Sequence, residues 1–167
     1  MKILNEILVY IFKNYPNPHE LSKARAVKMI YLADWKSALD SGKQLTDIQW
    51  VFNHYGPYVN EIIEQLKIDD RFETTWTYNY YGQPKELITL REGAVLRIKL
   101  DDNTKKILDY IIQITYPLYF TDFINLVYST YPIRTQPRYT ILNLVLLAKE
   151  YREKVPYNLN NTSTITA

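Results

Sequence analysis

Residues 24–39, ARAVKMIYLADWKSAL, decide the fold. Val27, Ile30, Tyr31, Asp34 and Ala38 recur at three- and four-residue steps, the spacing of one face of an α-helix. Ser41-Gly42 ends the run, because glycine accepts the left-handed conformation that closes a helix. An aspartate on a mainly apolar face is costly unless hydrogen-bonded. Asp34 is therefore read either as an acceptor that locks the Trp50–Tyr58 segment, or as a residue at the helix's solvent edge.

Working outward, Ile3, Leu4, Ile7, Leu8 and Ile11 predict a helix over residues 2–14, stopped before Pro16 and Pro18. Asn17-Pro18-His19-Glu20 leads into the central helix, with Pro18 early and Glu20 in the first turn. Residues 45–54 fit a short strand or a helix, since Ile48, Trp50 and Phe52 alternate only partly with polar neighbours. Gly56-Pro57 breaks the chain, and Pro57 is placed as the first residue of a helix to about Leu66. Residues 74–91 read as a hairpin turning at Gly82-Gln83-Pro84. Three helices follow: from Asp101-Asp102 to Thr115, from Thr121-Asp122 to about Tyr131-Pro132, and from Tyr139 to Lys154. The expected fold class is mainly α (α+β), a single compact helical domain over residues 1–156 with a small antiparallel β-hairpin. Residues 157–167, rich in Asn, Thr and Ser, read as a flexible C-terminal tail.

The 167 residues, 47% hydrophobic and 23% charged, suit one globular domain. A chain of this size buries roughly 70% of its unfolded surface and needs no staple. Without cysteine it has neither a disulfide nor a thiolate zinc site. Asn5 and Glu6 interrupt the apolar start, and no run approaches the roughly 20 residues of a membrane span, so the expected location is the cytoplasm. A net charge of +2 is too small to argue for nucleic acid by itself. The 16 tyrosines fit either a binding surface or the bias of a low-GC genome.

Catalysis needs convergent reactive groups, and none assembles in the sequence. No GxSxG, P-loop, GxGxxG or HExxH motif is present, and His19 and His54 are the two histidines. Asp69-Asp70 reads as a solvated loop pair and Asp101-Asp102 as a helix cap, so no catalytic residue, cofactor or metal is expected. Arg134, Arg138, Lys149, Arg152 and Lys154 make the last third basic, but Glu150 and Glu153 interleave with them as on a solvated helix face. A phosphate-contacting patch is the other reading.

Two motifs carry a resemblance. Lys28-Met29-Ile30-Tyr31-Leu32-Ala33-Asp34 is similar to the KLLYLAD helix of Panacea-domain (SocA-like) antitoxins. Trp50-Val51-Phe52-Asn53-His54-Tyr55-Gly56-Pro57-Tyr58-Val59 resembles that family's aromatic segment ending in Gly-Pro, and Gly42-Lys43-Gln44-Leu45-Thr46 its G-x-P-L-T stretch. Asn53 stands where tryptophan is common, Tyr58 where valine is usual and Gln44 where proline is common. The match covers roughly residues 1–70.

The resemblance implies an antitoxin of a bacterial or phage toxin–antitoxin pair. It would neutralise, by direct binding in a hetero-oligomer, a toxin encoded by an adjacent gene. One toxin class so paired blocks translation and is related to small alarmone synthetases. Lys28, Tyr31, Asp34, Trp50, Tyr55, Gly56 and Pro57 would then be structural motif residues. Candidate toxin anchors are Trp76, Tyr78, Tyr80 and Tyr81 on the hairpin, with Arg138 and Tyr139; the hairpin aromatics fit cross-strand packing equally well. The alternative function is a DNA-binding autoregulator of its own operon, and a small hydrolase around His54 is a third.

Overall fold

The central helix of the sequence becomes the axis of the molecule. In the computed structural model, which describes residues 2–155 and Ile165, α2 spans Lys23–Ser41. The Ser22 side chain caps it by accepting from the Arg25 N–H at 3.1 Å, and Gly42 ends it at φ +72°. Arg25 through Leu39 is buried without a break. A single apolar stripe would leave one face wet; here α2 is enclosed on every side.

The enclosing elements are α1 (Lys2–Asn14), α3 (Glu61–Ile68), α4 (Asp102–Thr115), α5 (Phe120–Tyr128), α6 (Tyr131–Thr135) and α7 (Leu144–Lys154), with one 3-10 turn at Pro18–Glu20. α1 buries Leu4, Ile7, Leu8 and Ile11, and α4 buries Ile107, Leu108, Ile111 and Ile112, each set at helical spacing. The guanidinium of buried Arg25 donates to the Thr115 and Leu118 carbonyls at the C-terminal end of α4, at 3.0 and 2.9 Å. Trp35 of α2 meets Tyr151 of α7 edge-on, and its indole N–H donates to the Ile165 carbonyl at 3.1 Å. Apart from buried Ile165, the expected tail over 157–167 lies outside the described residues.

Two small antiparallel sheets complete the fold. The first has the order β2-β1-β5, with β1 (Trp50–Asn53), β2 (Gly56–Tyr58) and β5 (Ile141–Leu142). The second is the expected hairpin, β3 (Phe72–Tyr78) against β4 (Pro84–Leu90). Phe72 anchors the hairpin edge-on against Phe12 of α1, and Lys23 pairs with Glu86.

Three boundaries differ from the sequence reading. Pro57 is a strand residue paired with Phe52, not a helix start; α3 begins at Glu61. Pro57 has no N–H, yet in β2, which borders only β1, it needs none. The expected helix from Tyr139 begins instead at Leu144, because Ile141 and Leu142 pair with Val51 and Trp50. The Asn143 side chain then caps α7 by accepting from Leu146 N–H at 3.0 Å. The helix begun at Phe120 stops at Tyr128, and Tyr131 opens a separate short helix with Pro132 in its first turn.

Asp101 behaves as the expected cap, accepting from the Thr104 N–H at 2.8 Å and the Thr104 hydroxyl at 2.9 Å. Asp101→Ala should lower unfolding free energy by about 1 kcal/mol in a denaturant titration.

Candidate partner-binding surface

The site begins with the fate of Asp34. Its Oδ1 accepts from the Leu45 and Thr46 backbone N–H groups at 3.0 and 2.9 Å. Its Oδ2 accepts from the Thr46 hydroxyl at 2.5 Å and the Trp50 indole N–H at 2.8 Å, with Gln44 Nε2 at 3.4 Å. Asp34 is thus the lock and not a solvent-edge residue, but most of its donors come from residues 44–46 and only Trp50 from the expected segment. Burial pushes its carboxyl from 3.8 up to about 6, against the opposing pull of these donors. Beside it, Tyr31 meets Trp50 edge-on at 5.5 Å and shares a 2.8 Å hydrogen bond with the Thr130 hydroxyl.

Fixed at Trp50, β1 runs outward to a tight turn at His54-Tyr55 and returns through Gly56. Gly56 sits at φ +99°, and a Cβ there would lie 3.2 Å from the Tyr128 ring and 3.6 Å from the Lys28 stem. The backbone therefore favours glycine, and a Cβ would also make the Tyr128 ring give way by a few tenths of an ångström.

The loop before β5 clasps this turn. Tyr139 N–H donates to the Phe52 carbonyl at 2.5 Å, and Phe52 N–H to the Thr140 carbonyl at 2.9 Å. Arg138 Nε donates to the His54 carbonyl at 3.2 Å while its guanidinium lies 5.3 Å from the Phe52 ring centre. The Tyr139 hydroxyl and His54 Nδ1 are 3.1 Å apart. Tyr139 adopts φ +67°, a left-handed conformation unfavourable for a bulky side chain, and stays 68% exposed.

The sequence candidates therefore fall in two places. Lys28, Tyr31, Asp34, Trp50, Gly56 and Pro57 are buried beneath the turn, whereas Tyr55, Arg138 and Tyr139 are exposed on it. Sequence reading did not link Arg138 and Tyr139 to the turn, about 85 residues away; the strand pairing of Ile141-Leu142 does so. Trp76, Tyr78, Tyr80 and Tyr81 are on the other sheet. There, Trp76 and Tyr78 face Glu86 and Pro84 across the strands and are 72% and 73% exposed, and Tyr80 and Tyr81 touch edge-on at the tip. Cross-strand packing does not bury them.

The basic residues of the last third are dispersed. Arg138 is held on the turn, Arg152 donates to the Leu39 carbonyl at 3.3 Å, and Lys154 donates to the Tyr131 hydroxyl at 2.8 Å. Asp69 is not a solvated loop carboxylate: Arg71 grips it at 2.6 Å and holds it below the usual carboxylate range. Among the described residues no group of three His, Asp or Glu side chains could hold a metal, and no helix is long and apolar enough to cross a membrane.

The family model described as "Antitoxin SocA-like, Panacea domain" matches residues 27–133, well over half of the chain. The chain belongs to this antitoxin family. The Panacea match begins within α2, later than the sequence resemblance implied, and extends through the hairpin to Ile133. It includes the Lys28–Asp34 and Trp50–Tyr58 motifs and the four hairpin aromatics; Arg138 and Tyr139 lie beyond it. No curated protein and no solved structure matches the chain. Within the matched span, Tyr31, Asp34 and Trp50 form one unit beneath the turn, through the Trp50–Asp34 hydrogen bond and the edge-on Tyr31–Trp50 contact.

Two outcomes check this arrangement. Asp34→Asn turns one acceptor into a donor facing donors, so it should cost about 3 kcal/mol at neutral pH. Because the folded state holds the Asp34 proton more tightly than the unfolded chain, the proton-linked part of this side chain's contribution is full below about pH 4 and is lost as pH rises through about 6, where its hydrogen bonds still remain. Denaturant titrations of both proteins across that range should show the wild-type advantage shrinking as pH rises. Gly56→Ala should cost about 2 kcal/mol or more, through its backbone conformation and the Tyr128 contact.

Proposed function

We propose that this chain is a non-catalytic antitoxin that silences a toxin protein by direct, stoichiometric binding. The toxin would be encoded by an adjacent gene. The observation that carries the proposal is the exposure of Trp76, Tyr78, Tyr80 and Tyr81, from 72% to 97%, on one projecting hairpin. Apolar rings left in water gain free energy when a partner covers them, and tryptophan and tyrosine dominate the energetics of protein interfaces. The hairpin is joined at its base by Phe72, Leu87 and Ile88, which are buried, so its tip is held out from the body. Arg138 and Tyr139 on the clasped turn supply a second set of anchors. An interface of standard size, about 1,600 Å² in total, is large enough to include several such anchors.

The non-catalytic part of the reading is supported by how the polar side chains are engaged. His54 shares a hydrogen bond with the Tyr139 hydroxyl, Asp34 is sealed beneath the turn, and Asp69 and Asp101 are tied to Arg71 and Thr104.

The double substitution Trp76→Ala with Tyr80→Ala tests the proposal. Both side chains are exposed, so stability should change by less than about 0.5 kcal/mol per site. Co-expression with the adjacent gene's product should restore growth with wild-type protein and fail with the double variant, with affinity in pull-down or calorimetry falling at least about tenfold. Growth restored equally by both proteins would remove the hairpin from the interface.

A further inference from the structure

Lys28 is buried on α2, with 4% of its surface exposed. The other charged side chains buried on this helix have clear employment: Arg25 donates to two carbonyls, Asp34 accepts from five donors, and Lys36 pairs with Asp40 at 2.7 Å. Lys28 has no hydrogen-bond or ion-pair partner among the described residues. Burial lowers its proton affinity, and no carboxylate opposes that effect. Its stem passes beneath Gly56, and it lines a cleft of about 320 Å³ together with Asn53, His54, Tyr55 and Tyr58. A partly desolvated cation lining an open cleft has no counter-charge among the described residues.

Resting on the reading of this chain as a protein-binding antitoxin, we infer that this cleft takes the carboxylate of a glutamate or aspartate side chain presented by the partner, with Lys28 as its counter-ion. A single ammonium reaching the cleft from a buried stem matches the single charge of a carboxylate. Phosphate sites are usually built from converging backbone N–H groups at a glycine-rich loop or helix N-terminus, whereas this cleft is lined by two tyrosines, a histidine, an asparagine and the lysine. Tyr55 is 79% exposed at the mouth, and Tyr139 stands next to it through His54. Aromatic side chains around a charged centre exclude water from it when a partner closes over them. A Cβ at Gly56 would be in ordinary contact with the Lys28 stem at 3.6 Å and would press on the Tyr128 ring at 3.2 Å.

The experiment uses the full chain, as wild type and as Lys28→Met, which keeps most of the stem and removes the charge. The probes are N-acetylglutamate amide, its neutral counterpart N-acetylglutamine amide, and inorganic phosphate, titrated while amide resonances are followed by NMR. The glutamate probe should shift the Asn53, His54, Tyr55 and Tyr58 amides saturably in wild type and leave them unmoved in Lys28→Met; the glutamine probe should move them in neither. The melting temperature of Lys28→Met should equal or exceed that of wild type, because an unpaired, partly desolvated charge has gone. In complex with the adjacent gene's product, Lys28→Met should bind about 30-fold more weakly or worse.

Absence of a saturable glutamate shift, its persistence in Lys28→Met, saturation by phosphate alone, or a lowered melting temperature would each overturn the inference. If wild type binds that product and Lys28→Met binds it equally, the carboxylate site fails while the antitoxin reading stands. If wild type does not bind it but the glutamate shifts depend on Lys28, the antitoxin reading fails and the carboxylate site remains.

Discussion

The structure depends on one constraint: a helix enclosed on all sides carries charged and hydrogen-bonding side chains that must be satisfied from within. Burying an ionised carboxylate without partners is prohibitive, so the elements around α2 are obliged to bring donors to Asp34. The Leu45 and Thr46 backbone, the Thr46 hydroxyl and the Trp50 indole all converge on it. That convergence sets where the chain after α2 re-enters the core and where β1 begins. Arg25 does the same for the end of α4 and Tyr31 for the start of α6, through Thr130. Apolar contacts around α2 supply most of the stabilisation, but they are non-directional and would allow several arrangements. The hydrogen bonds to α2 select one.

A turn fixed in this way can display side chains without moving them. Trp50 is immobilised by Asp34 and Tyr31, and two residues later Phe52 exchanges backbone hydrogen bonds with Tyr139 and Thr140. The unfavourable backbone of Tyr139 is maintained by those bonds and by its hydroxyl contact with His54. Rings held rigidly before any partner arrives would lose less conformational entropy on binding, an advantage that strands pinned to a buried helix would give the proposed recognition surface.

Much of this was legible in the sequence, and the misses have physical causes. α1, α2 and α4 announced themselves because their apolar residues keep a helical period and their ends carry proline, glycine or aspartate. The hairpin was visible in its run of threonine and tyrosine closed by Gly82. Pro57 was misplaced because proline suits a helix start and an edge strand equally, and only the partner Phe52 distinguishes them. Ile141-Leu142 looked like the beginning of a helix because a two-residue strand has no period of its own; its pairing with Trp50 and Val51 is non-local. The role of Asp34 could be posed but not completed, since Leu45 and Thr46 give no local sign that their N–H groups face it. The complete enclosure of α2 was hidden by its mixed composition, which reads as one apolar stripe with a polar back.

The same enclosure separates the exposed aromatics from the folding of the core. The core already buries Trp35, Trp50, Tyr31 and Phe123, so the chain does not lack the means to place large rings inside. An isolated two-stranded hairpin is marginal in water, and this one is secured at its base by Phe72 against Phe12 and by Lys23 with Glu86. Nothing in that attachment needs Trp76, Tyr78, Tyr80 or Tyr81, whose rings extend past the last buried residues of both strands. Such an exposed apolar cluster invites non-specific association unless something covers it. A fold able to bury its largest side chains, and which keeps these four in water, has them available for a surface outside itself.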